Sequence, residues 1–115
     1  MGKGAIGIVR ISGKRALPIL KEMFRKKSGE KREEFENRKM TYGVVVDEFG
    51  EPIDEVLAVF MRAPFTFTGE DVVEIHCHGG IVVTRKVLRE VLKRGARLAE
   101  PGEFTMRAFI HGKIE

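Results

Sequence analysis

The stretch GEDVVEIHCHGGIVVTRKVLREVLKR, residues 69–94, predicts a buried β-strand followed by an amphipathic helix. Residues 72–77 are rich in valine and isoleucine, which favour strands. After two glycines, apolar residues recur at helical spacing at Val83, Val87, Leu88, Val91 and Leu92. Gly95 is a typical helix end. A strand joined to such a helix predicts one sheet with helices packed on it.

The rest of the chain extends this pattern in both directions. AIGIVRI (5–11) is predicted to be a buried strand, and a helix is predicted to begin at Ser12 or Gly13. The remaining predicted elements are strands from Thr41 and from Asp54 joined as a hairpin, a short strand at 96–100 and a helix at 104–110. The resulting order is β-α-β-β-β-α-β-α. It predicts an α+β (mixed α/β) fold, with a single mixed β-sheet and two to three helices, in one domain spanning residues 1–115.

Composition narrows the class of protein. The 115 residues are 43% hydrophobic and 33% charged, which is typical of a soluble globular domain without a membrane span. The single cysteine excludes an internal disulfide and predicts a cytoplasmic location. Net charge is +4, concentrated in residues 21–39. Because glutamates are mixed with the bases there, we interpret that segment as a solvated, salt-bridged helix end and loop rather than a nucleic-acid surface.

Three kinds of site are considered for the polar residues in and near the predicted strand at 72–77: a metal site, a catalytic cysteine and a nucleotide-binding loop. Alternation places His76 and His78 on one face and Cys77 on the other, so the three cannot share a metal ion, and no metal site is predicted even with His111 as a fourth ligand. Cys77 shares the side of Val73 and Ile75 and is predicted to be core, so no catalytic residue is assigned. The GxxxxGK[ST] motif is absent, and the glycine-rich GKGAIG (2–7) precedes a predicted strand rather than following one, which argues against a nucleotide loop.

Two charges of opposite sign interrupt predicted strands. Arg10 interrupts the strand at 5–11, and Glu74 interrupts the strand at 72–77. They can pair with each other as a structural salt bridge. They can also lie at the rim of a pocket, where Glu74 accepts paired N–H donors and Arg10 faces an anionic group. Composition and spacing leave both interpretations open.

Three segments together resemble one known family. They are GAIGIVRISG (4–13), FTGEDVVEIHCHGG (67–80) and GARLAEPGEFTMRAFIHGKI (95–114). In this combination they resemble the N-terminal domain of the MnmE (TrmE) family of bacterial tRNA modification GTPases. The resemblance implies a fold similar to the folate-binding domain of glycine-cleavage T-proteins. It also implies a homodimer that binds 5-formyl-tetrahydrofolate or a related reduced folate.

The resemblance further implies three folate-binding residues. They are Arg10, Glu74 and Lys113, each matching the family motif in residue type. Proteins of this family act with an MnmG-type flavoprotein on C5 of the wobble uridine of certain tRNAs. GTP, Mg²⁺ and K⁺ belong to a GTPase domain that follows in the family, and the present chain is expected to be a fragment that binds rather than catalyses. The alternatives are a stand-alone aminomethyl-transferase-like one-carbon domain and a purely structural dimerisation module.

Overall fold

The computed structural model describes residues 7–110, and in the last helix it describes side chains as far as Arg107. The elements are β1 (Gly7–Ser12), α1 (Ala16–Met23), β2 (Phe24–Arg25), β3 (Thr41–Val46), β4 (Pro52–Met61), β5 (Val72–Cys77), α2 (Gly80–Lys93) and α3 (Glu103–Ile110). The strands form one sheet in the order β1-β5-β4-β3-β2. The predicted α+β class with a single sheet is confirmed.

Pairing within the sheet differs from the mixed sheet that the sequence predicts. All four pairings between these strands are antiparallel. A parallel contact occurs as an isolated bridge between Asn37 and Phe60. The reason is connectivity: β3 to β4 is a tight hairpin, and β5 returns beside β4 without a helical crossover, so neighbouring strands run in opposite directions.

The hydrophobic core lies between one face of the sheet and the two helices α1 and α2. From the sheet it takes Val9, Ile11, Val45, Val56, Ala58, Phe60, Val73, Ile75 and Cys77. The helices contribute Ala16, Ile19, Leu20 and Met23 of α1 and Val87 and Val91 of α2, and Phe24 and Phe35 complete the core. Strand residues that alternate with these core residues, including Arg10 and Glu74, therefore lie on the other face of the sheet.

Three predicted elements need correction. The helix expected from Ser12 or Gly13 begins at Ala16, because Gly13 has φ +125° and donates its N–H to the carbonyl of Asp71. The helix ends at Met23, close to its predicted end, but the loop expected after it begins with strand β2, which pairs with β3. Residues 96–100 form no strand.

Packing explains these differences. Phe24 is fully buried and meets Phe35 edge to face, with ring centroids 5.2 Å apart. That contact holds β2 against the sheet, although two residues are too few to show a period in sequence. At residues 96–100, the Glu100 N–H and the Arg97 side chain are both bonded to Glu103 of α3. Residues 96–100 therefore form a connection that is bonded to α3 rather than a strand of the sheet.

The remaining predictions agree with the structure. The hairpin is confirmed, and its turn is closed by Asp47, whose Oδ1 accepts the N–H groups of Phe49 and Glu51. Strand β5 and helix α2 lie where the opening stretch predicts them. The predicted strand residues Ala5 and Ile6 lie outside the described part of the chain. Within residues 7–110, none of the helices has the length and hydropathy needed to span a bilayer.

Candidate functional site

Arg10 and Glu74 face each other across the β1–β5 pairing. The register aligns their Cα atoms, and the two side chains make an ion pair with Nε–Oε2 and Nη2–Oε2 distances of 2.9 and 2.8 Å. The Arg10 side chain is 45% exposed, whereas that of Glu74 is 18% exposed. The structure therefore brings together two of the three predicted site residues, on the face of the sheet that α1 and α2 do not cover.

His76 completes this group. It lies two residues beyond Glu74 on the same strand face, and its Nε2 is 3.0 Å from Glu74 Oε1. Burial raises the pKa of Glu74, but the hydrogen bonds from His76 and Arg10 outweigh it and hold that pKa below its usual value. The alternation that places His76 beside Glu74 is visible in the sequence, but it did not by itself predict a role for His76.

A hollow opens beside the Arg10–Glu74 pair. Its volume is about 170 Å³, and it is lined by Arg10, Met61, Phe67, Val72, Glu74 and Phe104. An adjacent depression of about 300 Å³ shares Arg10 and Phe104 with it. The Arg10 guanidinium lies 5.9 Å from the centroid of the Phe104 ring. The arrangement is a mainly apolar pocket with one cation and one anion, as in many small-molecule sites.

A further cavity of about 370 Å³ lies on the α1 side of the same residues. Arg10 and Phe104 also line it, together with Lys14, Arg15 and Arg107 among others. This lining is rich in arginine and lysine, so the cavity suits an anionic group. The third predicted residue, Lys113, lies outside the described residues, and its distance to Glu74 is not defined.

A polar network that the sequence did not single out holds α3 beside this pocket. Ser12 Oγ is 2.8 Å from both Thr68 Oγ1 and Glu70 Oε1. Arg107 of α3 donates to the same Glu70 oxygen at 2.9 Å and to the Ser12 carbonyl at 3.3 Å. The network joins the TGED segment (68–71) to the last helix, and so positions Phe104 over Arg10.

The chain also matches a known protein family. A protein-family model described as "GTP-binding protein TrmE N-terminus" matches residues 1–113. The chain belongs to the TrmE N-terminus family. The resemblance recognised in the sequence is thereby confirmed.

Curated relatives agree with this assignment. The protein named tRNA modification GTPase MnmE of Alkaliphilus metalliredigens is 50% identical over 115 residues, which is 99% of this chain and 25% of that protein. The protein of the same name from Symbiobacterium thermophilum is 52% identical over 114 residues, with the same two coverages. The chain thus spans about a quarter of the length of the curated relatives it matches.

Glu103 of the TrmE motif PGEF is fully occupied by its neighbours. Both of its oxygens accept from Arg97, Arg107 donates to Oε2 at 2.8 Å, and the Glu100 N–H donates to Oε1 at 2.9 Å. The hydrogen bond from Arg97, followed by that from the Glu100 N–H, lowers the pKa of Glu103 to about 2. We interpret Glu103 as the anchor of α3 rather than a ligand-binding group.

The cysteine and the second histidine of this TrmE domain have structural roles. Cys77 is fully buried, as predicted, and burial raises the pKa of its thiol to about 11. His78 donates its backbone N–H to Asp54 Oδ2 at 2.6 Å, and Asp54 also accepts from the Gly79 N–H. Asp54 therefore fixes the turn between β5 and α2.

Metal ligands do not gather in the part of the chain that the structure describes. Among residues 7–110, no group of three histidine, cysteine, aspartate or glutamate side chains is placed to hold a metal ion. His111, the fourth ligand weighed from the sequence, lies outside these residues.

Proposed function

We propose that this chain is the N-terminal, reduced-folate-binding module of a tRNA modification GTPase. The observation that carries the proposal is the Arg10–Glu74–His76 group beside a pocket lined by Phe67 and Phe104. In this proposal the chain binds 5-formyl-tetrahydrofolate or a related reduced folate, and it contributes no catalytic residue of its own.

Glu74 has the chemistry to bind a pterin ring. The ring presents an N–H beside an exocyclic amine, two parallel donors that one carboxylate can accept together. A carboxylate has about four acceptor positions. Arg10 contacts Oε2 through both Nε and Nη2, and His76 uses one position on Oε1, so the spare acceptor capacity of Glu74 lies on Oε1. The lowered pKa of Glu74 keeps the group ionised at neutral pH.

The remaining pocket residues suit the other parts of the cofactor. Phe67, which is half exposed, and Phe104 supply apolar surface for the planar ring. Arg10 and Lys113 are proposed to bind the formyl oxygen or the glutamyl carboxylates, and the neighbouring arginine-rich cavity has the charge for an anionic tail. When bound, the reduced folate supplies the one-carbon unit, which is directed to C5 of the wobble uridine.

The partners of the proposed function come from the rest of the family's chain and from a second copy. GTP, Mg²⁺ and K⁺ are assigned to a GTPase domain that these residues do not include, and an MnmG-type flavoprotein and tRNA act through the longer protein. The compartment proposed is the cytoplasm.

A homodimer is part of the same proposal. It is supported by a row of side chains across the uncovered sheet face: Ile8 and Tyr42 are 48% and 45% exposed, and His76 and the half-buried Leu57 lie between them. Within the described sheet, β1 is an edge strand, and a second copy can approach it.

Replacing Glu74 tests the folate proposal. Glu74→Ala removes two charge-assisted hydrogen bonds to the pterin, each worth about 1.5–3 kcal/mol, so we expect binding to weaken about a hundredfold or more. The fold should persist, because Arg10 remains largely in water when its partner is lost. The measurement is calorimetric titration with 5-formyltetrahydrofolate.

Glu55→Ala is the matched control for this titration. Glu55 is an exposed carboxylate on the same sheet face, on β4, and it does not line the folate pocket. The control should bind folate as the unchanged chain does. Undiminished affinity in Glu74→Ala would overturn the proposal.

A structural dimerisation module is the second candidate. It is favoured by the Arg10–Glu74 ion pair, which satisfies both side chains without any ligand. An intact dimer that binds no reduced folate in the titration would favour this candidate.

A further inference from the structure

The exposed face of α2 carries an uninterrupted row of cations. At 100° per residue, Arg85, Lys86, Arg89 and Lys93 fall on one side of the helix, opposite the buried Val87 and Val91. The row extends over about 12 Å at 1.5 Å per residue. Because α2 is packed on the sheet by its apolar side, this basic side faces solvent.

Three of these cations are not neutralised by the described part of the chain. Lys93 contacts Glu90 and Glu48. No ion pair or side-chain hydrogen bond within residues 7–110 involves Arg85, Lys86 or Arg89. Arg85 and Arg89 are four residues apart and Lys86 and Arg89 three apart, so the charges repel each other along the helix. A polyanion bound there relieves that repulsion.

An exposed aromatic side chain lies next to the end of this row. Phe49, at the tip of the β3–β4 turn, is 81% exposed. Asp47 Oδ1 accepts the N–H of Phe49 at 2.8 Å and so closes the turn at this residue. Lys93 Nζ lies 3.3 Å from Glu48 Oε2, which places the turn beside the last turn of α2. An exposed phenyl ring is a platform on which an unpaired base can stack, and Lys93 pairs with Glu48, one of the three carboxylates of this turn with Asp47 and Glu51.

We propose that Arg85, Lys86, Arg89 and Phe49 form an RNA-binding surface, named here the α2 surface. The cations contact backbone phosphates, and Phe49 stacks on a base of an unpaired loop. The choice of RNA among polyanions rests on the proposed function. On α2, Val87 and Val91 are buried in the core, whereas Ile81 and Val82 of its first turn are 69% and 63% exposed, so binding to an anionic membrane is measured as a competing outcome.

The test is fluorescence anisotropy with a fluorescein-labelled RNA hairpin that has an unpaired loop. The triple variant Arg85→Ala/Lys86→Ala/Arg89→Ala retains helix propensity, since alanine is the best helix former. We expect its affinity to fall about tenfold or more, and the slope of log affinity against log salt to become shallower by about 2.

The matched control removes the same charge elsewhere. Lys14, Lys39 and Arg62 are exposed and lie at the end of the sheet away from the β3–β4 turn. Lys14→Ala/Lys39→Ala/Arg62→Ala should bind the hairpin much more tightly than the α2 triple variant. Equal weakening in the two triple variants, or no binding by the unchanged chain, would overturn the proposal.

Phe49→Ala separates stacking from charge. We expect about fivefold or greater loss of affinity for the looped hairpin with an unchanged salt slope, and no loss for a fully paired RNA duplex. Equal loss for both RNAs would refute the stacking role.

Two further arms isolate the inference. Binding to phosphatidylserine vesicles in preference to the hairpin would overturn it in favour of a membrane. Folate titration of the α2 triple variant should match the unchanged chain. If RNA binding is lost while folate binding is retained, the result bears only on the α2 surface. If folate binding is absent while RNA binding is retained, the result bears only on the proposed function.

Discussion

Glu74 and Glu103 are both ionised carboxylates, but they differ in how many of their hydrogen-bond acceptor positions are occupied. Glu103 accepts from two arginines and a backbone N–H and is almost completely buried, so it has no room for another donor. Glu74 accepts from one arginine and one histidine and borders a hollow. At the scale of single residues, the spare acceptor capacity of Glu74 distinguishes a ligand-binding carboxylate from an anchoring one.

The pKa of Glu103 leads to a prediction about acid stability. Its pKa falls from 4.5 to about 2 on folding, so ionised Glu103 stabilises the fold above about pH 4.5, and this contribution is lost as the pH falls towards 2. Glu103→Gln should lower the thermal midpoint at pH 7, and the difference from the unchanged chain should shrink between pH 4.5 and 2.

Thermal denaturation followed by circular dichroism at several pH values measures this difference. Glu100→Gln is the control, because the Glu100 side chain is exposed and its contribution to the network is a backbone N–H. An equal gap between Glu103→Gln and the unchanged chain at pH 7 and at pH 2 would contradict the role given to the charge.

At the scale of elements, the periodic segments were predictable and the aperiodic ones were not. Strand β5, the hairpin and α2 follow from alternation and helical spacing, as do the core position of Cys77 and the shared face of Glu74 and His76. Strand β2 was missed because burial of Phe24, a tertiary contact, decides it. The strand predicted at 96–100 was wrong because Arg97 is committed to α3.

The candidate site shows the same division. A salt bridge between Arg10 and Glu74 was one of the two interpretations that the sequence left open, and only the β1–β5 register shows that the two side chains meet. The Ser12–Glu70–Arg107 network lies on segments without a period, and it joins residues 95 positions apart. The resemblance marked the TGED and PGEF motifs, but only the fold shows that Arg107 links Glu103 of PGEF to Glu70 of TGED.

At the scale of the whole molecule, the sheet separates two candidate surfaces. The pterin pocket lies on the face of the sheet opposite α1 and α2, and the cavity proposed for the anionic tail is lined by the inner residues Leu88, Val91 and Leu92 of α2, whereas the α2 surface lies on the outer side of that helix. A ligand on one surface therefore leaves the other accessible. The uncovered sheet face also carries the row of Ile8, Leu57 and Tyr42 that supports a dimer.

The proposed dimer gives a prediction about mass. Sedimentation equilibrium should give twice the chain mass of 13.0 kDa at high concentration. Tyr42→Glu should shift the mass towards the monomer, because it places a charge within an apolar interface. Phe49→Glu, an equal change at an exposed aromatic residue on the β3–β4 turn, should leave the dimer intact. A monomer mass at every concentration would contradict the proposed dimer.

The central claim is that the Arg10–Glu74 face of the sheet binds reduced folate. The most direct measurement is a titration of the isotope-labelled chain with 5-formyltetrahydrofolate, followed by the NMR shifts of its backbone amides. The account predicts saturable shifts at Arg10, Glu74 and Phe104, with the amides of Arg85 and Arg89 unchanged. Shifts confined to α2, or no shifts at saturating folate, would contradict it.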